Sequence, residues 1–189
     1  MTTFLYMIRH AESPYVAGNE RLRGLSVKGK QDARQIDQIL RHEAIDVFVS
    51  SPYTRAIDTI LLLAEACGQT ILEYEELRER PIASLDVSIT ELELLDAVEQ
   101  SFTDLDFKLE GGESTREAQE RAVPVIKQLL KKHAGSKIAV GTHGNIMTII
   151  MNYFDSDYGF AFWKSTSKPD IYKLEFEEEQ LKSVKKLWE

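Results

Sequence analysis

Cysteine is nearly missing from the sequence, since Cys67 is the only one among 189 residues. An intrachain disulfide is therefore impossible, and zinc sites that need several cysteines are excluded. Disulfides persist in oxidising compartments, so a chain without them favours a reducing one. We accordingly expect a cytoplasmic protein.

Long hydrophobic runs are also absent. The apolar start Met1–Ile8 meets Arg9 after eight residues, which is too short for a membrane span or a secretory signal, and we interpret it as a strand. The sequence shows no repeat with a period of 20–50 residues and no low-complexity tract. Solenoids and disordered linkers are thereby excluded.

The sequence has fewer basic than acidic residues, 23 against 31, which gives a net charge of −8. A body of this charge repels nucleic acid and anionic membranes, so we expect neither as a partner. Any anion that the protein binds must be attracted by a few cations placed close together. These charges favour a small-molecule ligand in a pocket.

Apolar runs of strand length alternate with amphipathic segments of helix length. Buried strands of a parallel sheet have this appearance, and the segments between them carry the apolar spacing of helices packed on a sheet. The predicted strands are Phe4–Ile8, Ile45–Val49 and Ile138–Val140, and the predicted helices are Val27–Leu40, Tyr53–Cys67, Ser114–His133 and Gly144–Phe154. We predict one domain over residues 1–189, an α/β fold with a doubly wound, mostly parallel sheet in a three-layer α/β/α sandwich.

Two segments depart from this alternation. The acidic stretch Pro81–Phe107 is predicted to be an inserted helical lid with one or two helices, whose apolar positions are Leu85, Ile89, Leu92, Leu95 and Val98. Near the end of the chain, Ile171–Phe176 and Lys182–Trp188 are predicted to pair as an edge hairpin, which would also offer a surface for a homodimer.

Cationic and imidazole side chains follow three of the predicted strands. Arg9 and His10 come after the first, Arg55 after the second, and His143 after the later one. Each alone is more often structural, but the carboxyl ends of parallel strands meet at one edge of the sheet, where ligands bind. Two guanidiniums and a helix N-terminus suit a phosphate dianion, and a nearby histidine is then a candidate nucleophile.

Five motifs, in order and spacing, resemble those of the histidine phosphatase superfamily, the phosphoglycerate mutase-like enzymes. They cover residues 1–150 and are Arg9-His10-Ala11-Glu12, Leu25–Gly29, Ser50–Thr59, Gly111–Ser114 and Thr142–Asn145. This resemblance implies the phosphoglycerate mutase-like fold. It also implies that His10 accepts a phosphoryl group that Arg9, Arg55 and His143 bind, with no metal and no organic cofactor.

The resemblance further implies a carboxylic acid that protonates the leaving oxygen. Leu77-Arg78-Glu79 fits the family's position for it, so Glu79 is the candidate, while Glu75 and Glu76 are near enough to compete. His143 is a candidate catalytic residue too, and Asn145 in the same motif is a candidate phosphate ligand. Ala11 replaces the family's common glycine, and Arg80-Pro81 follows Glu79 where a Gly-x-Trp-Glu-Gly-like segment is frequent.

Three functions are compatible with this pattern. We expect a metal-independent phosphomonoesterase that hydrolyses a small phosphorylated metabolite through a phosphohistidine on His10. The second alternative is a phosphoglycerate mutase, which is disfavoured because the chain lacks the longer insertions and tail of the familiar mutases. The third is a catalytically idle module that binds a phosphorylated partner.

Overall fold

The fold is taken from a computed structural model, which describes residues 1–16, 18–84 and 88–189. Six strands form one mixed sheet in the order β3-β2-β4-β1-β5-β6. They are β1 (Thr2–Arg9), β2 (Val47–Ser50), β3 (Ile71–Glu73), β4 (Lys137–Thr142), β5 (Asp170–Glu177) and β6 (Gln180–Lys186). Strands β3, β2, β4 and β1 run parallel to one another. Strand β5 is antiparallel to β1, and β6 is antiparallel to β5.

The described residues also form six α-helices. They are α1 (Val27–Leu40), α2 (Thr54–Ala66), α3 (Glu91–Thr103), α4 (Thr115–Lys132), α5 (Gly144–Phe154) and α6 (Phe160–Ser165). In the described residues, none of them is long and apolar enough to cross a membrane.

Alternation along β1 builds two separate cores. Successive side chains of a strand point to opposite faces, so Leu5 and Met7 pack with α4 and α5, whereas Tyr6 and Ile8 pack with α1 and α2. All four side chains are fully buried, as the nearly continuous apolar run predicted. The three-layer α/β/α sandwich with a mostly parallel sheet is confirmed.

Several predicted boundaries were correct and others were wrong. Helix α1 spans Val27–Leu40 and α5 spans Gly144–Phe154, as predicted. The second strand is Val47–Ser50 and not Ile45–Val49, because Ala44 has a left-handed backbone with φ of 53° and turns the chain just before it. Strand β3 and helix α6 were not predicted, since three and six residues are too few to show a period.

The segment Pro81–Phe107 contains one described helix, α3. It begins at a capping box in which the Thr90 side chain accepts from the Glu93 backbone N–H and the Glu93 side chain accepts from the Thr90 backbone N–H. Val98 is fully buried, while Leu92 is exposed. Leu85 lies outside the described residues. The function of this segment as a lid stays a prediction.

The C-terminal hairpin is confirmed. Strands β5 and β6 pair antiparallel from Tyr172 opposite Lys186 to Glu177 opposite Gln180. Because β5 also pairs with β1, the hairpin closes one edge of the sheet. The homodimer stays a prediction.

Close packing between α1 and the loop after β1 accounts for Gly29. A Cβ atom built on Gly29 would lie 2.2 Å from the carbonyl oxygen of Glu12, two residues after His10. The same oxygen accepts a hydrogen bond from the Ser26 backbone N–H at 2.9 Å. Helix α1 therefore supports the loop that carries His10.

We predict that Gly29→Ala destabilises the protein by about 1–3 kcal/mol, because the overlap outweighs the roughly 1 kcal/mol that alanine contributes in a helix. Urea denaturation would measure the change. Lys30→Ala, at the exposed neighbouring position, is the matched control and should change stability little. Equal effects of the two substitutions would contradict the packing argument.

Candidate active site

The parallel register brings three strand ends to one edge of the sheet. Arg9 at the end of β1 is opposite Thr142 of β4, and Ser50 at the end of β2 is opposite Gly141 of β4. The residues that follow, His10, Ser51 and His143, therefore lie side by side. This edge is where the sequence predicted an oxyanion pocket.

His10 is buried and held in one tautomer. Its Nδ1 lies 2.7 Å from the carbonyl oxygen of Ala11, and a carbonyl oxygen can only accept, so Nδ1 carries the hydrogen. Burial, aided by the charges of Arg55 and Arg9, lowers the pKa of His10 to about 3. At neutral pH the ring is neutral, with the Nε2 lone pair available for attack.

Ala11 fits the turn after His10 without strain. Among the described non-glycine residues, positive φ occurs at Ala44 and Glu178, so Ala11 does not need the glycine that is common in the family. Its backbone N–H donates to Thr59 Oγ1 of α2 at 3.0 Å. The carbonyl that orients His10 is thus held by α2.

Arg9 lies flat against the start of α5. A Cβ atom on Gly144 would be 2.6 Å from the central carbon of the Arg9 guanidinium, so only glycine permits this approach. Its Nη1 donates to the carbonyl and hydroxyl oxygens of Thr166, at 3.2 and 2.5 Å. Burial lowers the pKa of Arg9, but an arginine stays protonated at neutral pH.

Arg55, in the first turn of α2, is the most deeply buried cation of the site. Its two terminal nitrogens donate to the Glu20 backbone carbonyl and to Glu20 Oε1, each at 2.6 Å. The guanidinium also lies over the ring of Tyr53, 4.9 Å from its centroid. The Arg55 Nε has no hydrogen-bond partner in the described residues, so it remains available for a second anion.

His143 is fully buried at the N-cap of α5, with its ring 5.3 Å from that of His10. Its Nε2 lies 2.7 Å from Ser51 Oγ. Burial and the nearby Arg55 hold the pKa of His143 well below its usual value, so the ring is neutral and carries one hydrogen. If Ser51 donates to Nε2, that hydrogen is on Nδ1.

Unpaired polar atoms are concentrated at this site. Nine buried side-chain nitrogen and oxygen atoms have no hydrogen-bond partner within the described chain, and six of them belong to site residues. These are Nε of Arg9 and Arg55, Thr142 Oγ1, His143 Nδ1, and both amide atoms of Asn145. Such atoms are rare in proteins, and most of these are donors suited to an oxyanion.

The Glu79 carboxylate binds the N-terminus of α5. Its carboxylate accepts from the backbone N–H groups of Asn145 at 3.2 Å and Ile146 at 2.9 Å. Its charge also acts on both Arg9 and Arg55. The competing Glu75 is exposed and bonded to Arg21, and Glu76 is exposed. Glu79 is the glutamate that the chain brings to the predicted pocket.

Arg80 anchors the segment that carries Glu79. Its buried Nη1 donates to Ser101 Oγ of α3 and Thr115 Oγ1 of α4, both at 3.0 Å. Burial lowers the pKa of Arg80 to about 10. At this departure from the family pattern, the Arg80 side chain therefore connects α3 and α4 to the segment that carries Glu79.

The structure brings together all the predicted site residues: Arg9, His10, Arg55, Glu79, His143 and Asn145. Sequence reasoning did not find the contacts of Ser51, Glu20 and Thr166, which are distant in sequence from the residues they bind. Among the described residues, no group of three or more His, Cys, Asp or Glu is placed to hold a metal ion.

Comparison with known sequences identifies the family. The family model of the histidine phosphatase superfamily, branch 1, matches residues 5–188. The chain belongs to this superfamily. Membership in the histidine phosphatases, together with relatives named as phosphatases, supports a phosphatase.

Two curated relatives from Arabidopsis thaliana have different names. One, named a metal-independent phosphoserine phosphatase, is 32% identical over 161 residues, which are 78% of this chain and 67% of the relative. The other, named phosphoglycerate mutase-like protein 4, is 27% identical over 155 residues, 76% of this chain and 67% of the relative.

The fold is shared with a solved phosphatase structure. The mycobacterial glucosyl-3-phosphoglycerate phosphatase superposes with a TM-score of 0.75 over 100% of this chain and 99% of its own, at 19% sequence identity. At this identity the likeness shows the fold alone.

We predict that Ser51 determines the tautomer of His143. In ¹⁵N-histidine-labelled protein, the hydrogen of His143 should be found on Nδ1, and Ser51→Ala should move part of the population to Nε2, since the bond to Nε2 is lost. The nitrogen chemical shifts measure this directly, with exposed His42 as the internal reference. Hydrogen on Nε2 in the unsubstituted protein would contradict the assignment.

Stability should depend on pH through His10. Between the unfolded value of about 6.5 and the folded value of about 3, the unfolded chain binds a proton that the folded chain does not. The free energy of unfolding should therefore decrease as the pH is lowered through this window, by at most about 1.4 kcal/mol per pH unit for this group. Urea denaturation at several pH values from 7 to 4 measures this dependence, and the free energy of unfolding should vary less with pH in His10→Gln. The same variation in both proteins would show that His10 does not contribute to the pH dependence of stability.

Proposed function

We propose that this histidine phosphatase is a metal-independent phosphomonoesterase that acts through a phosphohistidine on His10. One observation carries the proposal. A neutral buried imidazole, with its Nδ1 hydrogen bound to the Ala11 carbonyl, lies among Arg9, Arg55 and His143, whose unpaired nitrogens suit a phosphoryl dianion.

In the first step, Nε2 of His10 attacks phosphorus. The N–P bond forms as the bond from phosphorus to the ester oxygen breaks, and the arginines stabilise the charge on the other phosphoryl oxygens. Alkoxides leave poorly, so protonation of the departing oxygen matters, and an acid in position contributes about 10²–10⁴-fold.

Glu79 is the proposed acid. In the first step its carboxyl proton passes to the departing ester oxygen, which leaves Glu79 as a carboxylate. In the second step, the resulting carboxylate takes a proton from water as the water oxygen bonds to phosphorus and the N–P bond breaks. Inorganic phosphate is released, and His10 and Glu79 return to their starting states.

Phosphoglycerate mutase is the second candidate, favoured by relatives that carry mutase names. A mutase must return the phosphoryl group to a bound product before water reacts with the phosphohistidine. The relative identical at 32% is named a phosphatase, which supports hydrolysis. An idle phosphate-binding module is the third candidate. The retention of both histidines, both arginines and Glu79 in one pocket argues against it.

The decisive assay compares leaving groups in excess chelator. We expect phosphate release from p-nitrophenyl phosphate and from alkyl phosphomonoesters, with His10→Ala at least about 10³-fold slower on both. Glu79→Gln should slow the alkyl esters by about 10²–10⁴-fold and p-nitrophenyl phosphate much less, because p-nitrophenolate leaves without a proton.

The outcomes separate the candidates. Rapid conversion of 3-phosphoglycerate to its 2-phospho isomer, with little phosphate released, would identify a mutase. Equal turnover by His10→Ala and the unsubstituted enzyme would overturn the role of His10. Tight phosphate binding without turnover would identify the binding module.

A further inference from the structure

The loop between α6 and β5 carries a cation that the proposed mechanism does not use. Lys168 is exposed, and it has no hydrogen-bond or ion-pair partner in the part of the chain that the structure describes. Nothing in the sequence motifs singled it out.

The loop is fastened to Arg9 at both ends. Thr166, two residues before Lys168, accepts the hydrogen bonds of the Arg9 guanidinium. Asp170, two residues after it, is opposite Arg9 in the β1–β5 ladder. The Ser167 backbone N–H donates to the Asp170 carboxylate at 3.1 Å and tightens the loop. Lys168 therefore has a defined position beside the phosphoryl site.

The charge of Lys168 acts on the same groups as the site arginines. It contributes to the lowered pKa of His10. The pKa of Lys168 is itself lowered, first by loss of hydration and then by Arg9 and Arg23. Like charges that lie together repel, so an anion between them is favoured.

The neighbouring carboxylates do not pair with this lysine. Glu20 is bonded to Arg23 and Arg55, and Asp170 to Lys186. Glu79 accepts from the α5 backbone. Lys168 is thus an unpaired cation at the rim of a positively charged pocket.

Depth separates Lys168 from the phosphoryl position. Arg9, His10, Arg55 and His143 are 9%, 5%, 1% and 0% exposed, whereas Lys168 lies at the surface. When the phosphoryl group of a substrate is bound by these buried residues, the organic part of the substrate must extend outward past Lys168. A single ammonium is a compact point charge that matches a monoanion, while the dianion is suited to the guanidiniums below.

We propose that Lys168 forms a subsite for a carboxylate on the leaving group of the substrate. The preferred substrates are then small phosphomonoesters that carry a carboxylate a few bonds from the ester oxygen. This inference rests on the proposed function and goes beyond it, since hydrolysis at His10 does not require such a group.

Matched substrates test the subsite. 3-Phosphoglycerate and glycerol 3-phosphate differ by a carboxylate in place of a hydroxymethyl group, and phosphoserine and phosphoethanolamine differ by a carboxylate in place of hydrogen. In each pair we expect Lys168→Met to lower kcat/KM for the carboxylated member by about tenfold. The member without the carboxylate and p-nitrophenyl phosphate should change less than about twofold.

Two further variants control for charge and shape. Lys164→Met removes another exposed lysine, which lies over the Phe160 ring, and it should leave the substrate ratios unchanged. Lys168→Arg keeps the cation and should retain most of the preference. If the loss of kcat/KM came only from weaker long-range attraction of the anionic substrates, Lys168→Met and Lys164→Met would show it equally.

The outcomes distinguish this inference from the proposed function. Equal losses on all substrates in Lys168→Met would place the lysine on the phosphoryl group, and no loss on any would remove it from the site; either result overturns the subsite. If p-nitrophenyl phosphate is not hydrolysed, the proposed function fails. Calorimetric binding of the same pairs to both proteins then tests the subsite without turnover.

Discussion

The hydrogen bond from His10 Nδ1 to the carbonyl oxygen of Ala11 is the contact on which the rest of the site depends. It leaves the Nε2 lone pair facing the pocket. The carbonyl has its position because the Ala11 backbone is bonded to Thr59 of α2 and the next residue packs on Gly29 of α1. Both helices of one layer thus cooperate to orient one imidazole.

Burial of positive charge is the second constraint, and it is unusual in a chain with net charge −8. Loss of hydration is the largest cause of the lowered pKa values of Arg9, His10, Arg55 and His143. Charged groups are costly to bury unless they are paired. Glu20, Thr166 and Glu79 offset part of that cost, and a bound dianion would offset more of it.

The same elements explain the motif glycines and the departures from the family pattern. Gly29 and Gly144 are required by close approach, to the Glu12 carbonyl and to the Arg9 guanidinium. Arg80 connects α3 to the segment of Glu79, so the inserted helix and the candidate acid share one polar cluster.

Much of this arrangement could be predicted from the sequence. The apolar period locates α1 and α5, and the strand ends place Arg9, His10, Arg55 and His143 together because parallel strands share their carboxyl edge. The bonds from Ser51 to His143 and from Glu20 to Arg55 could not be predicted, since they join residues that are 92 and 35 positions apart and leave no local pattern. Lys168 reaches the site only through the fold of the β5 loop.

The central claim is that Nε2 of His10 accepts the phosphoryl group. Rapid quenching of the enzyme during turnover, under alkaline conditions that preserve phosphohistidine, followed by peptide mapping and ³¹P NMR, tests it most directly. We expect one phosphorylated residue, His10, with phosphorus on Nε2. Phosphorus on Nδ1 or on another residue, or turnover with no phosphorylated enzyme at any time, would contradict it.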